Sequence, residues 1–141
     1  MMKSAYFAGG CFWCITPAFA EHPGVKKVTA GYSGGEEPDP TYEEVKSQNT
    51  LHRETIRIDY EEDQVAFEEL GRLFLQNVDP FDAGGQYIDR GRSYTLAVYW
   101  QEDAEHLTME KLISALEAAS GKKVFVSLEK YIAFYDAEEY H

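Results

Sequence analysis

Cysteine is scarce in this chain. Only two occur in 141 residues, too few for a disulfide framework, so stability has to come from a packed core. Hydrophobic residues at 44% and aromatics at 14% supply one, and a single domain over residues 1–141 is expected. Positive charge is short as well: 13 Lys and Arg stand against 25 Asp and Glu, a net charge of -12. That balance repels phosphate backbones and anionic lipid surfaces, so neither nucleic acid nor a membrane is an expected partner. No apolar run is long enough to span a bilayer, and the first residues carry no signal-peptide pattern. A cytoplasmic setting is the expectation. His22, His52, His106 and His141 are scattered, with no spacing to the cysteines that makes a zinc site. No metal or other cofactor is expected, and there is no internal repeat or low-complexity linker.

What is present is concentrated. Both cysteines fall in Gly9-Gly10-Cys11-Phe12-Trp13-Cys14. Lys3 to Ala8 reads as a strand, while Ile15, Ala18 and Phe19 recur at helical spacing, so the thiols lie on a tight strand-to-helix turn. A cysteine in a first helical turn faces unpaired N–H groups and the positive end of the dipole, which favour thiolate. Cys11 is therefore the better nucleophile. Cys14, one turn later, can close a disulfide with it if that turn flexes.

Further along, Val25 to Ser33 alternates as a half-buried strand, and Glu36 to Asn49 is a loop with a short helix announced by Asp39-Pro40-Thr41. Its length suggests that it covers something. Arg53 to Tyr60 alternates again, with Glu54, Ile56, Ile58 and Tyr60 on one face and Arg53, Thr55, Arg57 and Asp59 on the other. Phe67 to Asn77 is helical in period, and a glycine-rich loop from Phe81 to Gly91 leads to a strand from Arg92 to Trp100. A helix through Met109 and Leu116 and a short strand from Lys123 to Leu128 follow. The tail from Tyr131 to His141 receives no regular structure.

The first six elements give an α+β fold with a ferredoxin-like split βαβ core, to which a further helix, a strand and an irregular C-terminal tail are added. With the usual handedness, strands one and two are parallel, strand three lies antiparallel between them, and strand four lies antiparallel beside strand one. Cys11, Tyr32, Glu54 and Tyr94 then share one edge of the sheet. A lone glutamate at a strand start is ordinarily solvated, and Tyr32 and Tyr94 are two of ten tyrosines; convergence is what gives them meaning. On an apolar face Glu54 loses solvation as a carboxylate, which raises its pKa. A neutral acid beside a thiol suits sulfur attack on a group whose oxygen must leave with a proton, with Tyr32 and Tyr94 as further donors and Phe12 and Trp13 as an apolar wall. A thioredoxin-like dithiol-disulfide oxidoreductase is the alternative that a C-x-x-C pair leaves open.

The stretch Gly9 to Cys14 resembles the signature of the A-type peptide methionine sulfoxide reductases. The resemblance runs on through Gly31-Tyr32-Ser33-Gly34-Gly35, Pro40 to Val45, His52-Arg53-Glu54, Gln86 to Gly91 and Glu138 to His141. It implies reduction of the S epimer of methionine sulfoxide, free or in oxidised proteins. Cys11 would attack the sulfoxide sulfur, Glu54 would give its proton to the oxygen, and Tyr32 and Tyr94 would assist. Phe12 and Trp13 would hold the S-methyl group, and Asp89 would support the polar side of the pocket. Cys11 would be left as a sulfenic acid, Cys14 would condense with it, and thioredoxin or a similar dithiol would reopen the disulfide. Three departures from the family pattern stand out: no cysteine near the C-terminus, Leu51 in place of a usual glycine, and Arg92-Ser93-Tyr94-Thr95 where members usually read Thr-Gln-Tyr-Arg.

Overall fold

The computed structural model describes residues 1–48, 50–86 and 88–137, without the side chain of Trp13. In chain order it forms β1 (Met2–Gly9), α1 (Phe12–Ala20), β2 (Val25–Ser33), α2 (Tyr42–Lys46), β3 (Arg53–Glu61) and α3 (Phe67–Gln76). A small hairpin, β4 (Gly85–Gln86) and β5 (Asp89–Arg90), and a 3-10 turn at Arg92–Tyr94 follow. The chain then runs through β6 (Leu96–Trp100), α4 (Asp103–Ser120), β7 (Val126–Lys130) and β8 (Tyr135–Asp136).

The main sheet has the order β7-β6-β1-β3-β2-β8. β3 pairs antiparallel with both β1 and β2, and β6 pairs antiparallel with β1, which is the ferredoxin-like order inferred from the sequence. β7 extends the sheet in parallel to β6. One face meets α1 and α3 around Phe7, whose ring stacks with Phe19, Phe67 and Phe74 at centroid distances of 5.7, 5.9 and 5.1 Å. Ile56, Ile58 and Tyr60 are buried on the same side, each contributing about 1.5–3 kcal/mol by leaving water.

The other face is less open than alternation suggests. Arg53 and Thr55, on the polar side of β3, are buried, because residues of the tail cross it. Tyr131 stacks on Tyr6 at 4.3 Å and Phe134 lies 5.5 Å from the same ring. Beneath them the Arg53 guanidinium donates to Thr95 Oγ1 at 2.8 Å, Tyr99 OH at 3.0 Å and Glu129 Oε2 at 2.7 Å. Alternation tells which face a residue takes, and a second covering layer is invisible to it.

The tail is also where expectation and structure part. Tyr135–Asp136 pairs with Gly31 and Tyr32 as an edge strand, Ala137 N–H donates to Ala30 O at 2.8 Å, and Ser33 Oγ donates to Ala133 O at 2.8 Å. Two residues of strand are too short for a periodic signal. Residues 138–141, where the family resemblance ends, lie outside the described residues. Gly31 makes the contact possible, since a Cβ there would collide with the Phe134 ring and the Tyr135 carbonyl. Gly31→Ala is expected to unseat β8 at a cost of about 1–3 kcal/mol. Hydrogen exchange would show Ala137 N–H unprotected while the β1–β3 ladder stays slow; unchanged protection of Ala137 would refute it.

The fourth core strand starts at Leu96, so Tyr94 lies in the turn before it and not in the strand itself. Tyr94 N–H donates to Gly91 O at 3.0 Å and Thr95 Oγ1 to Arg92 O at 2.7 Å, local bonds that hold the chain in a turn.

Candidate active site

β1 ends at Gly9, and Gly10 turns the chain with φ at 85°, where a side chain is strained. A Cβ on Gly10 would also lie 2.8 Å from the Gln86 side chain. Glycine thus lets the Cys11 turn sit directly on the 79–91 loop. Gln86 is itself fixed: its Oε1 accepts from Asp79 N–H at 2.8 Å, and its Nε2 donates to the Asp79 and Gly85 carbonyls, each at 2.9 Å. Gln86 lies in the Gln86 to Gly91 motif, and its burial shows it to be the prop beneath the thiol turn, a task that the motif alone does not reveal.

Cys11 takes the N-cap of α1 in an extended conformation and is half-buried, whereas Cys14 is exposed; neither is in a disulfide. Cys14 N–H donates to Cys11 O at 3.1 Å. A bond of this i to i+3 kind keeps the two Cα atoms within about 7 Å, at the upper limit of what a disulfide spans.

Glu54, the second residue of β3, is only 3% exposed. Burial pushes its carboxyl up to about 7 from an ordinary 4.5. Hydrogen bonds from Phe12 N–H and Tyr94 O–H pull the other way, as does Lys46, while the charge of Asp89 adds to the rise. The bond from Phe12 puts this carboxyl at the first turn of α1, one residue from Cys11. Burial, together with the Glu54 charge, pushes the Tyr94 hydroxyl upward, so it stays a donor. Asp89, half-buried, faces Gln86 across the β4–β5 pair and is close enough to act on both Glu54 and Tyr94.

Tyr32 is the Cα partner of Glu54 across β2 and β3 and shares its face. It is fully buried, with its ring 5.9 Å from that of buried Phe12. The structure thus brings Tyr32 to the Glu54 face beside Phe12, at the edge of the sheet where the sequence places it. The side chain of Trp13 lies outside the described residues. Tyr42, which the sequence places in the Pro40 to Val45 stretch without a role, stands near enough to Tyr94 to raise it further, with Lys46 Nζ 5.6 Å from its ring centre. A signal for Tyr42 existed: Thr41 and Glu44 form the capping box that starts α2, and Tyr42 is the first residue inside it. His52 is structural. Its Nδ1 accepts from Gly35 N–H at 3.1 Å and its Nε2 lies 2.8 Å from Glu37 O, so the proton sits on Nε2.

A dithiol turn beside a buried carboxyl that holds its proton near neutrality, on a ferredoxin-like sheet, has the parts of a thiol-dependent reductase. The family model described as peptide methionine sulfoxide reductase matches residues 3–141. The peptide methionine sulfoxide reductase MsrA of Bacillus velezensis is 45% identical over 139 residues, covering 97% of this chain and 78% of that protein. Mxr1 of Saccharomyces cerevisiae, crystallised in reduced form, superposes with a TM-score of 0.92 at 26% identity over 99% of this chain and 82% of its own. Mxr1 in complex with Trx2 shares the fold, at a TM-score of 0.70 and 20% identity over 98% of this chain and 82% of that one. The chain belongs to the peptide methionine sulfoxide reductase family, and the thioredoxin-like alternative gives way to it.

Proposed function

We propose that residues 1–141 act as one catalytic domain that reduces the S epimer of methionine sulfoxide, in the cytoplasm, using a dithiol protein of the thioredoxin kind as the final reductant. The observation that carries this reading is the buried Glu54 carboxyl, its pKa raised by burial, at the first turn of α1 beside the Cys11 N-cap.

The Cys11 sulfur attacks the sulfoxide sulfur while Glu54 delivers a proton to its oxygen, with Tyr94 as a second donor to that oxygen. The oxygen passes to Cys11 as sulfenic acid, methionine leaves as the thioether, and the substrate sulfur has been reduced by two electrons. Cys14 then attacks the sulfenic sulfur, forming the Cys11–Cys14 disulfide and releasing water. A dithiol reopens it by exchange, becoming a disulfide itself. Phe12 and Trp13 bound the S-methyl group, Asp89 holds the polar side, and Tyr32, the cross-strand partner of Glu54, assists at the oxygen.

The test is stereochemical. With both epimers of methionine sulfoxide offered and dithiothreitol as reductant, the S epimer is expected to be consumed and the R epimer left. Equal consumption of both would overturn the reading.

A further inference from the structure

Arg92 and Lys123 share a cavity of about 380 Å³ at the same end of the sheet as the thiol turn, on the far side of the turn that carries Tyr94. Arg53 also lines it, and Leu96, Val124 and Val126 make its apolar wall. Arg53 is neutralised by Glu129 at 2.7 Å. The other two cations form no ion pair among the described residues, although the Glu129 charge also acts on Arg92 from a distance. Arg92 uses Nε on the Leu51 carbonyl at 3.1 Å, and Lys123 Nζ lies 5.2 Å from the centre of the Phe125 ring. Among the described residues no carboxylate stands within ion-pair distance of either. In a chain with 25 acidic side chains against 13 basic ones, two cations without an ion pair line one hollow.

Resting on the reading above, we infer that this cavity is a subsite for a carboxylate side chain of the substrate polypeptide, so that the enzyme prefers methionine sulfoxide with an acidic residue nearby. Arg92 and Thr95 line the cavity on either side of Tyr94, whose hydroxyl reaches the mouth. An extended peptide advances about 3.3 Å per residue, so an aspartate two to four positions from the oxidised methionine lies roughly 7–13 Å along the chain from it, the span over which a carboxylate is offered to the cations. Its methylene lies on the apolar wall while the two cations take the charge.

The preference runs against the net charge of the whole protein, which by itself disfavours acidic peptides. Peptides with Asp or Asn placed two, three or four residues to either side of methionine S-oxide, compared by kcat/KM at low ionic strength, test it. The Asp peptide is expected to be favoured about fivefold on one side, the ratio falling towards one in roughly 0.5 M salt. Lys123→Glu is expected to reverse the ratio while leaving the rate on the Asn peptide unchanged, and Arg92→Gln to reduce it. Equal kcat/KM at every position, or a ratio that survives Lys123→Glu, would overturn the subsite. Inorganic phosphate that saturates the cavity while both peptides react alike would make it a free-anion site and overturn it too. A protein that reduces neither the Asn peptide nor free methionine S-oxide would instead sink the reductase reading.

Discussion

Cys14→Ser is expected to release about one methionine per enzyme in a single burst and then to stop when thioredoxin is the only reductant, whereas Cys11→Ser releases none. The difference follows from position. Cys11 caps α1 next to the proton donor, and nothing else among the described thiols stands there. Once it carries the oxygen, a second thiol has to remove it, and Cys14 is the chain's only other cysteine. Its exposure suits a group that must turn inward to form the disulfide and outward to meet a reductant protein. The helix is prepared for that bend. Pro17 lies inside α1, so the hydrogen bond its N–H would give four residues back is missing and the first turn is held less firmly. A small monothiol in excess, able to reach a sulfenic acid directly, is expected to restore slow turnover to the Cys14 variant. Counting methionine released per enzyme in rapid-quench samples decides the matter. Unchanged multiple turnover with thioredoxin in Cys14→Ser would defeat the assignment of that residue.

The core strands and helices were legible because each buries one face against one layer, so their residues repeat with a clean period. Handedness fixes which strand ends meet, which is how the sequence alone places Cys11 and Glu54 together. Three things escaped. Tyr32 alternates in register with Glu54, but register says nothing about depth, and its ring is fully buried beside Phe12. Tyr42 sits on a five-residue helix, too short for periodicity to orient it, so its approach to Tyr94 is set by tertiary packing. Arg53 looked like the solvent side of a strand, yet it is buried under a tail whose pairing with β2 is only two residues long. Local pattern carries no information about contacts between residues 80 positions apart. Where the sequence did show chemistry it did so through spacing within single turns, as in the Cys11–Cys14 pair and the Thr41–Glu44 box.

Glu54→Gln is expected to slow the first half-reaction by roughly 10²–10⁴ while leaving substrate affinity nearly intact. The amide oxygen can still accept from Phe12 N–H and Tyr94 O–H, so the turn stays in place, but no proton can pass to the sulfoxide oxygen. A loss confined to binding would make Glu54 a pocket wall. The pH dependence gives a second, independent reading. Since burial holds the carboxyl at about 7 in the folded protein against an ordinary 4.5, the proton donor is depleted above about pH 7, and the wild-type rate should fall about tenfold per unit there. The glutamine variant should lack that limb. Stability responds through the same group with a definite sign. Between pH 4.5 and about 7 the folded state keeps a proton that the unfolded chain has given up, so wild-type stability falls as pH rises across that window and levels off above it. Ionised and buried, the carboxyl then costs on the order of 3 kcal/mol. Glu54→Gln removes this cost, so at pH 8 the nearly inactive variant should melt at a higher temperature than the wild type, and at pH 4 the two should converge. A variant less stable than wild type at both pH values would mean that the carboxyl is held for its contacts and not for its proton.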